Sequence, residues 1–134
     1  MKILIIEDEK AMSDLVALKF KVEGFEVEQA FNFAEAKTEV VQNGPFSAIL
    51  TDYLLPDGDL VDFLKGVRAN PQIAGIPVVV MTNYVEDINA DQLKSLGVLD
   101  ILVKYQVVPA QMVEKIKGIL SGGTNGQPVP TNPN

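Results

Sequence analysis

Phe46-Ser47-Ala48-Ile49-Leu50-Thr51-Asp52-Tyr53-Leu54-Leu55-Pro56-Asp57-Gly58 is the stretch that decides the fold. Its first six residues are mostly apolar, the pattern of a strand buried on both faces. Asp52 ends that run. Pro56 and Gly58 then turn the chain toward Leu60, Phe63, Leu64 and Val67, an apolar stripe at helical spacing that closes at Asn70-Pro71. A buried strand passing directly to an amphipathic helix is the unit from which parallel α/β sheets are built.

The same unit recurs on either side. Ile3 to Ile6 predicts another strand buried on both faces, and Phe25 to Gln29 alternates like a strand nearer an edge. Ile76 to Met81 and Leu99 to Val103 are again mostly apolar. Between them, Ala11, Leu15, Leu18 and Val22 predict the buried stripe of a first helix stopped by Gly24. Asn32 with Glu35 resembles a capping box opening a second helix, closed by Asn43-Gly44-Pro45. Ile88, Leu93 and Leu96 mark a fourth helix ended by Gly97, and Pro109 opens a fifth carrying Met112, Val113, Ile116, Ile119 and Leu120. Strict alternation of five strands and five helices predicts an α/β fold, a doubly wound parallel sheet with helices on both faces. Residues 1–120 form one expected domain. Residues 121–134 contain one apolar side chain, Val129, and no charge, so a disordered tail is expected there.

Composition narrows the chemistry. The 134 residues include 11 Lys and Arg against 18 Asp and Glu, a formal charge of −7, which disfavours direct nucleic-acid binding. Cysteine and histidine are both absent, which excludes disulfide frameworks, thiolate zinc sites and imidazole acid–base catalysis. Any metal must be a hard one held by oxygens. Only four apolar residues separate Met1-Lys2 from Glu7-Asp8-Glu9, too few for a signal-peptide core, and no apolar run approaches a bilayer span. A cytoplasmic protein without membrane insertion is expected.

Ligands of such sheets bind at the carboxyl ends of the strands. There the first strand runs into Glu7-Asp8-Glu9, the third into Asp52, the fourth into Thr82 and the fifth into Lys104. Singly, each is an ordinary first solvated residue. Together they place carboxylates, a hydroxyl and an ammonium on one rim. Two carboxylates about 4 Å apart repel by roughly 4 kcal/mol at an effective dielectric of 20. Glu7, Asp8 and Asp52 should therefore hold a proton or bind a cation, and Mg²⁺ suits few carboxylates plus waters. A metal, a carboxylate nucleophile and a lysine are the parts needed for phosphoryl transfer to an aspartate.

These positions resemble the receiver domain of two-component response regulators. The acidic pair Glu7-Asp8 is followed by Asp52 after 44 residues, Thr82 after 30 more and Lys104 after a further 22, and the segment Ile49 to Gly58 resembles the family's phosphorylated segment. The resemblance covers residues 1 to about 120 and implies a flavodoxin-like five-stranded sheet of order 2-1-3-4-5. It implies that Asp52 is the phosphoacceptor for a sensor histidine kinase or phosphotransfer protein. It further implies that Asp8, Asp52 and the backbone carbonyl of Leu54 coordinate Mg²⁺, with Glu7 acting through water. Lys104 would pair with Asp52 at rest and with the phosphoryl oxygens afterwards, and Thr82 would swing to the phosphoryl group.

Three positions depart from the family pattern. Ile101 stands where an aromatic residue is usual, Tyr105 where proline usually follows the lysine in a cis peptide, and Asn83 where a very small residue is usual. A cis bond before a non-proline costs about 3–4 kcal/mol, so the Lys104–Tyr105 bond is either trans or strained. Ile101 reads as a plain core residue, and Tyr84 and Tyr105 read as half-buried packing residues. Asp57, Asp59 and Asp62 read as turn and cap residues of the third helix.

The leading functional expectation is a phosphoacceptor switch that acts by protein contact and promotes only its own phosphorylation and dephosphorylation, not an enzyme with a separate substrate. Its output face to an unidentified downstream protein is expected on the fourth helix, fifth strand and fifth helix, with Ile88, Gln92, Tyr105 and Gln106 exposed or partly exposed. The alternative is a receiver-like scaffold that binds a partner without phosphorylation. A Mg²⁺-dependent phosphohydrolase fares worst, since no substrate pocket or acid–base pair is legible.

Overall fold

A computed structural model describes residues 1–122 of the chain, the side chain of Asp87 excepted; from residue 123 onward the expected tail lies outside the described residues. The chain runs β1 (Lys2–Ile6), α1 (Lys10–Val22), β2 (Glu26–Ala30), α2 (Phe33–Gln42) and β3 (Ala48–Thr51). A short antiparallel hairpin follows, β4 (Leu54–Leu55) with β5 (Gly58–Asp59), and then α3 (Leu60–Ala69), β6 (Val78–Thr82), α4 (Ala90–Ser95), β7 (Val98–Val103) and α5 (Pro109–Leu120). Single 3₁₀ turns cover Val85–Asp87 and Lys104–Gln106.

The five long strands pair in parallel in the order β2-β1-β3-β6-β7, which is 2-1-3-4-5 counted over the sheet alone. Alternate residues of the buried strands face opposite sides. Leu4, Ile6, Ile49, Val78 and Val80 pack with Ala36 and Val40 of α2, Phe63 and Leu64 of α3 and Leu93 of α4. Ile3, Ile5, Leu50, Val79 and Met81 pack with Val16 and Phe20 of α1 and Met112, Val113 and Ile116 of α5. Central strands covered on both faces read as continuous apolar runs, which is why they were legible.

The structure corrects several local expectations. The stripe expected to be buried on α1 faces solvent, with Leu15 54%, Leu18 59% and Val22 68% exposed. Ser13, Val16, Ala17 and Phe20 face the sheet instead. Both faces of that helix are apolar, so periodicity alone did not choose between them. The buried face is the one carrying Phe20, whose ring gains the most on burial. The fourth sheet strand starts at Val78, after Pro77, which lacks an N–H for the ladder. Helix α4 begins after Asn89, whose side chain accepts the Gln92 N–H at 3.0 Å, so Ile88 precedes the helix and is half-buried. At the edge strand β7 a register shift between Val78 and Val79 of its partner leaves Leu99 bulged out and exposed.

Asp57 caps a different helix from the one expected. Its carboxylate oxygens accept the N–H groups of Phe33 and Ala34, at the start of α2. Asp59 does cap α3, through the Val61 N–H at 3.0 Å, and Asp62 lies in the first turn of that helix.

Candidate functional site

The carboxyl ends of the central strands set the site. Glu7 follows β1 and donates its own N–H to Ala30 O at 3.0 Å, while the Asp52 N–H, just past β3, reaches Ile6 O at 2.9 Å. These backbone bonds carry the sheet ladder one residue further and aim both side chains past its edge. The side chain of Asp52 is 3% exposed and that of Glu7 0%. Two carboxylates so deeply buried need partners. Asp52 Oδ1 accepts the Tyr53 N–H at 2.7 Å and Oδ2 accepts Lys104 Nζ at 2.9 Å. Glu7 Oε1 accepts Lys104 Nζ at 2.5 Å, and Oε2 accepts the Glu9 N–H at 3.0 Å.

One ammonium thus bridges two buried carboxylates. Burial works against the charge of Lys104, but the hydrogen bonds to Glu7 and Asp52 outweigh it and hold the ammonium above the ordinary lysine value. Burial pushes the Glu7 carboxyl up from its ordinary value, and the bonds from Lys104 and the Glu9 N–H offset this only in part. The pairing of Lys104 with Asp52 was anticipated from the resemblance. Its shorter contact with Glu7 was not, because nothing in the sequence shows which of two acidic residues turns inward.

Carboxylate oxygens of Glu7, Asp8 and Asp52 lie within 4.8 Å of one another, with Asp8 exposed at the mouth. The cavity above them measures about 450 Å³ and is lined by Glu7, Asp8, Glu9, Asp52, Leu54, Leu55, Pro56, Asn83, Tyr84 and Lys104. Leu54, whose carbonyl the resemblance assigns to the metal, sits in this wall. Thr82 does not. It is buried at the end of β6, and its hydroxyl accepts the Tyr84 N–H at 3.1 Å. Ile101 is a half-buried residue packed against the core beneath α2, α3 and α4. Tyr84 and Tyr105 are not half-buried packing residues: they are 47% and 71% exposed. The Lys104–Tyr105 peptide is trans, which resolves the choice between a trans and a strained bond. Sequence reasoning missed Glu9, Leu55 and Pro56 as lining residues; each adjoins a residue already singled out.

Comparison with known proteins agrees with this geometry. The family model described as response regulator receiver domain matches residues 3–117. The chain is 26% identical over 118 residues to the phosphate regulon transcriptional regulatory protein PhoB of Pseudomonas aeruginosa, covering 88% of this chain and 51% of that protein. It is 29% identical over 119 residues to a CpxR homologue of Haemophilus influenzae, covering 89% and 50%. The chain spans about half the length of these relatives. Among solved structures, a CheY-like receiver domain protein from Methanospirillum hungatei superposes with a TM-score of 0.80 at 28% identity, covering 90% of this chain and 93% of that one. A two-component response regulator from Clostridium difficile gives 0.81 at 26% identity, covering 93% and 99%. No helix among the described residues is long and apolar enough to cross a membrane.

Proposed function

This chain belongs to the response regulator receiver domain family, and on that premise we propose that it is a phosphoacceptor switch modified on Asp52. The observation that carries the proposal is the bridge of Lys104 Nζ to Asp52 Oδ2 at 2.9 Å on the floor of an acidic cavity. A carboxylate held in place by the Tyr53 N–H and an ammonium is oriented for attack at phosphorus. The new bond joins an Asp52 oxygen to phosphorus as the phosphorus–nitrogen bond of a donor phosphohistidine breaks, and the imidazole nitrogen takes a proton from solvent. Lys104 stays beside the transferred group and offsets its negative charge.

Mg²⁺ fits the donor set. Glu7, Asp8 and Asp52 offer only hard oxygens, close enough together to share one ion, and the chain holds no sulfur or imidazole ligand apart from methionine thioethers. Asp8, Asp52 and the Leu54 carbonyl would hold it, with Glu7 acting through water. Bound there, Mg²⁺ neutralises charge on the transferring phosphoryl oxygens.

The donor is a sensor histidine kinase or a phosphotransfer protein, and the output is contact with a downstream protein in the cytoplasm. The exposed stripe Ala11, Leu15, Leu18 and Val22 supports a macromolecular donor, because α1 starts three residues beyond Glu7, beside the cavity mouth. No separate substrate is turned over; the protein promotes only its own phosphorylation and dephosphorylation. Intact mass after acetyl phosphate and Mg²⁺ tests this. Wild type should gain one phosphoryl group and Asp52→Asn none. No gain in wild type selects a scaffold that binds its partner unphosphorylated.

A further inference from the structure

We propose that Asn83 is a positioning residue for Lys104, acting through the backbone of Tyr105; this rests on the reading of Asp52 and Lys104 as the reactive pair. The Asn83 Oδ1 atom accepts the Tyr105 N–H at 3.0 Å. Asn83 directly follows Thr82, and Tyr105 directly follows Lys104, so the bond joins the two segments that leave β6 and β7.

The parallel ladder between those strands ends at the pair Thr82 and Val103. Beyond it the two chains have no ladder bond to hold them. Lys104 sits in the single 3₁₀ turn Lys104–Gln106, whose closing contact, Val107 N–H to Lys104 O, is 3.5 Å and too long to fix the turn. The Asn83 side chain supplies the missing cross-link at this point. The Tyr84 N–H, bound to Thr82 Oγ1 at 3.1 Å, holds the Asn83 loop from its other side.

The cross-link depends on two residues that depart together from the family pattern. A proline after Lys104 has no N–H to give, and a very small residue after Thr82 has no side-chain acceptor. Here the trans Lys104–Tyr105 peptide presents a donor, and Asn83 presents the acceptor that meets it. The consequence reaches the cavity. The lysine side chain has four rotatable bonds, and its Nζ must stay between Glu7 and Asp52 with 12% exposure. A rotation of its backbone sweeps the ammonium, at the far end of that side chain, through a larger arc. Fixing the Tyr105 N–H fixes the peptide whose carbonyl belongs to Lys104.

Asn83→Leu keeps the side-chain shape and removes the acceptor; Asn83→Asp keeps the acceptor. In unphosphorylated protein, Asn83→Leu should speed amide exchange at Tyr105 and shift or broaden the Lys104 side-chain NMR signals, and Asn83→Asp should restore slow exchange at Tyr105. With acetyl phosphate and Mg²⁺, Asn83→Leu should lower the saturating rate of phosphoryl incorporation roughly three- to tenfold, the span of one net hydrogen bond. Unchanged Tyr105 exchange in Asn83→Leu overturns the cross-link. Faster exchange with unmoved Lys104 signals and an unmoved saturating rate overturns the positioning role. Should wild type take up no phosphoryl group, the phosphoacceptor reading fails by itself, and the Lys104 signals decide this proposal alone.

Discussion

Asp57 Oδ1 accepts the backbone N–H of Phe33 at 3.0 Å, across 24 residues of chain, while its Oδ2 accepts that of Ala34 at 3.0 Å. The Asn32 side chain accepts the next one, from Glu35, at 2.8 Å. Three of the four N–H groups that every helix leaves open at its start are thus filled in α2, two of them by a residue from the hairpin beside the cavity. The same hairpin carries Leu54, paired with Asp59. Asp57 is therefore a tie between the cavity wall and the second helix, and its negative charge lies where the helix dipole favours it.

Removing that tie should destabilise the protein. Asp57→Ala is expected to cost about 1–2 kcal/mol, the upper part of the range for lost N-caps, and Asp57→Asn less. The backbone hydrogen bond from Phe33 holds the Asp57 carboxyl below its ordinary value. A carboxyl lowered on folding contributes stability above its unfolded value, about 3.9, and loses it as pH falls through the folded value. Urea melts of wild type and Asp57→Ala should differ at pH 7 and converge on acidification below about pH 4. A gap that stays constant well below about pH 4 would remove the charge from the explanation.

The two faces of α1 make opposite predictions. Phe20 is fully buried, and Phe20→Ala should cost about 3–5 kcal/mol in chemical denaturation. Leu18 is 59% exposed, and Leu18→Gln should stay within about 0.5 kcal/mol of wild type. If the stripe receives a phosphodonor protein, Leu18→Gln should slow phosphoryl transfer from that protein and leave labelling by acetyl phosphate unchanged. Equal loss with both donors would place the effect in the cavity instead.

These contrasts show what the sequence carried. Ile3 to Ile6 and Val78 to Met81 were readable because strands buried on both faces leave no polar position in the run. The strand-end places of Glu7, Asp8, Asp52, Thr82 and Lys104 were readable because each ends or follows such a run at a spacing set by whole strand–helix units. Leu15, Leu18 and Val22 misled because Val16, Ala17 and Phe20 offer an equally good apolar period half a turn away. The hairpin of Leu54–Leu55 and Gly58–Asp59 is too short for any period. The Asp57 cap, the Asn83 cross-link and the choice of Glu7 as second partner of Lys104 are contacts between distant segments. No local pattern encodes them.

Mg²⁺ should raise thermal stability, because folding gathers Glu7, Asp8 and Asp52 within 4.8 Å and the ion binds only the gathered set. At one hundred times Kd the gain is about 2.7 kcal/mol. Asp8→Asn should shrink the gain while raising the melting temperature without metal, since it relieves repulsion at the mouth. Melts of both proteins from zero to millimolar Mg²⁺ check this. A wild-type curve that does not move would dismiss the metal site.

The output change should run through the segment from Asn83 to Asn89. The Thr82 hydroxyl now accepts the Tyr84 N–H, so a Thr82 that turns toward a phosphoryl group on Asp52 must release that bond and loosen the loop behind it. Ile101 cannot complete the change as an aromatic residue would. Its β-branched side chain is stiff about χ1 and already packs half-buried against the core beneath α4. The six-residue helix α4 buries Leu93 alone among its side chains, and Gln92, Tyr105 and Gln106 stand exposed there. Beryllofluoride, which mimics the phosphoryl group, should therefore shift amide NMR signals over residues 83–89 and through α4, with smaller changes along β7. Shifts confined to the neighbours of Asp52 in a protein that binds beryllofluoride would mean that the site is occupied without a switch, and would move the output to direct recognition of the modified cavity.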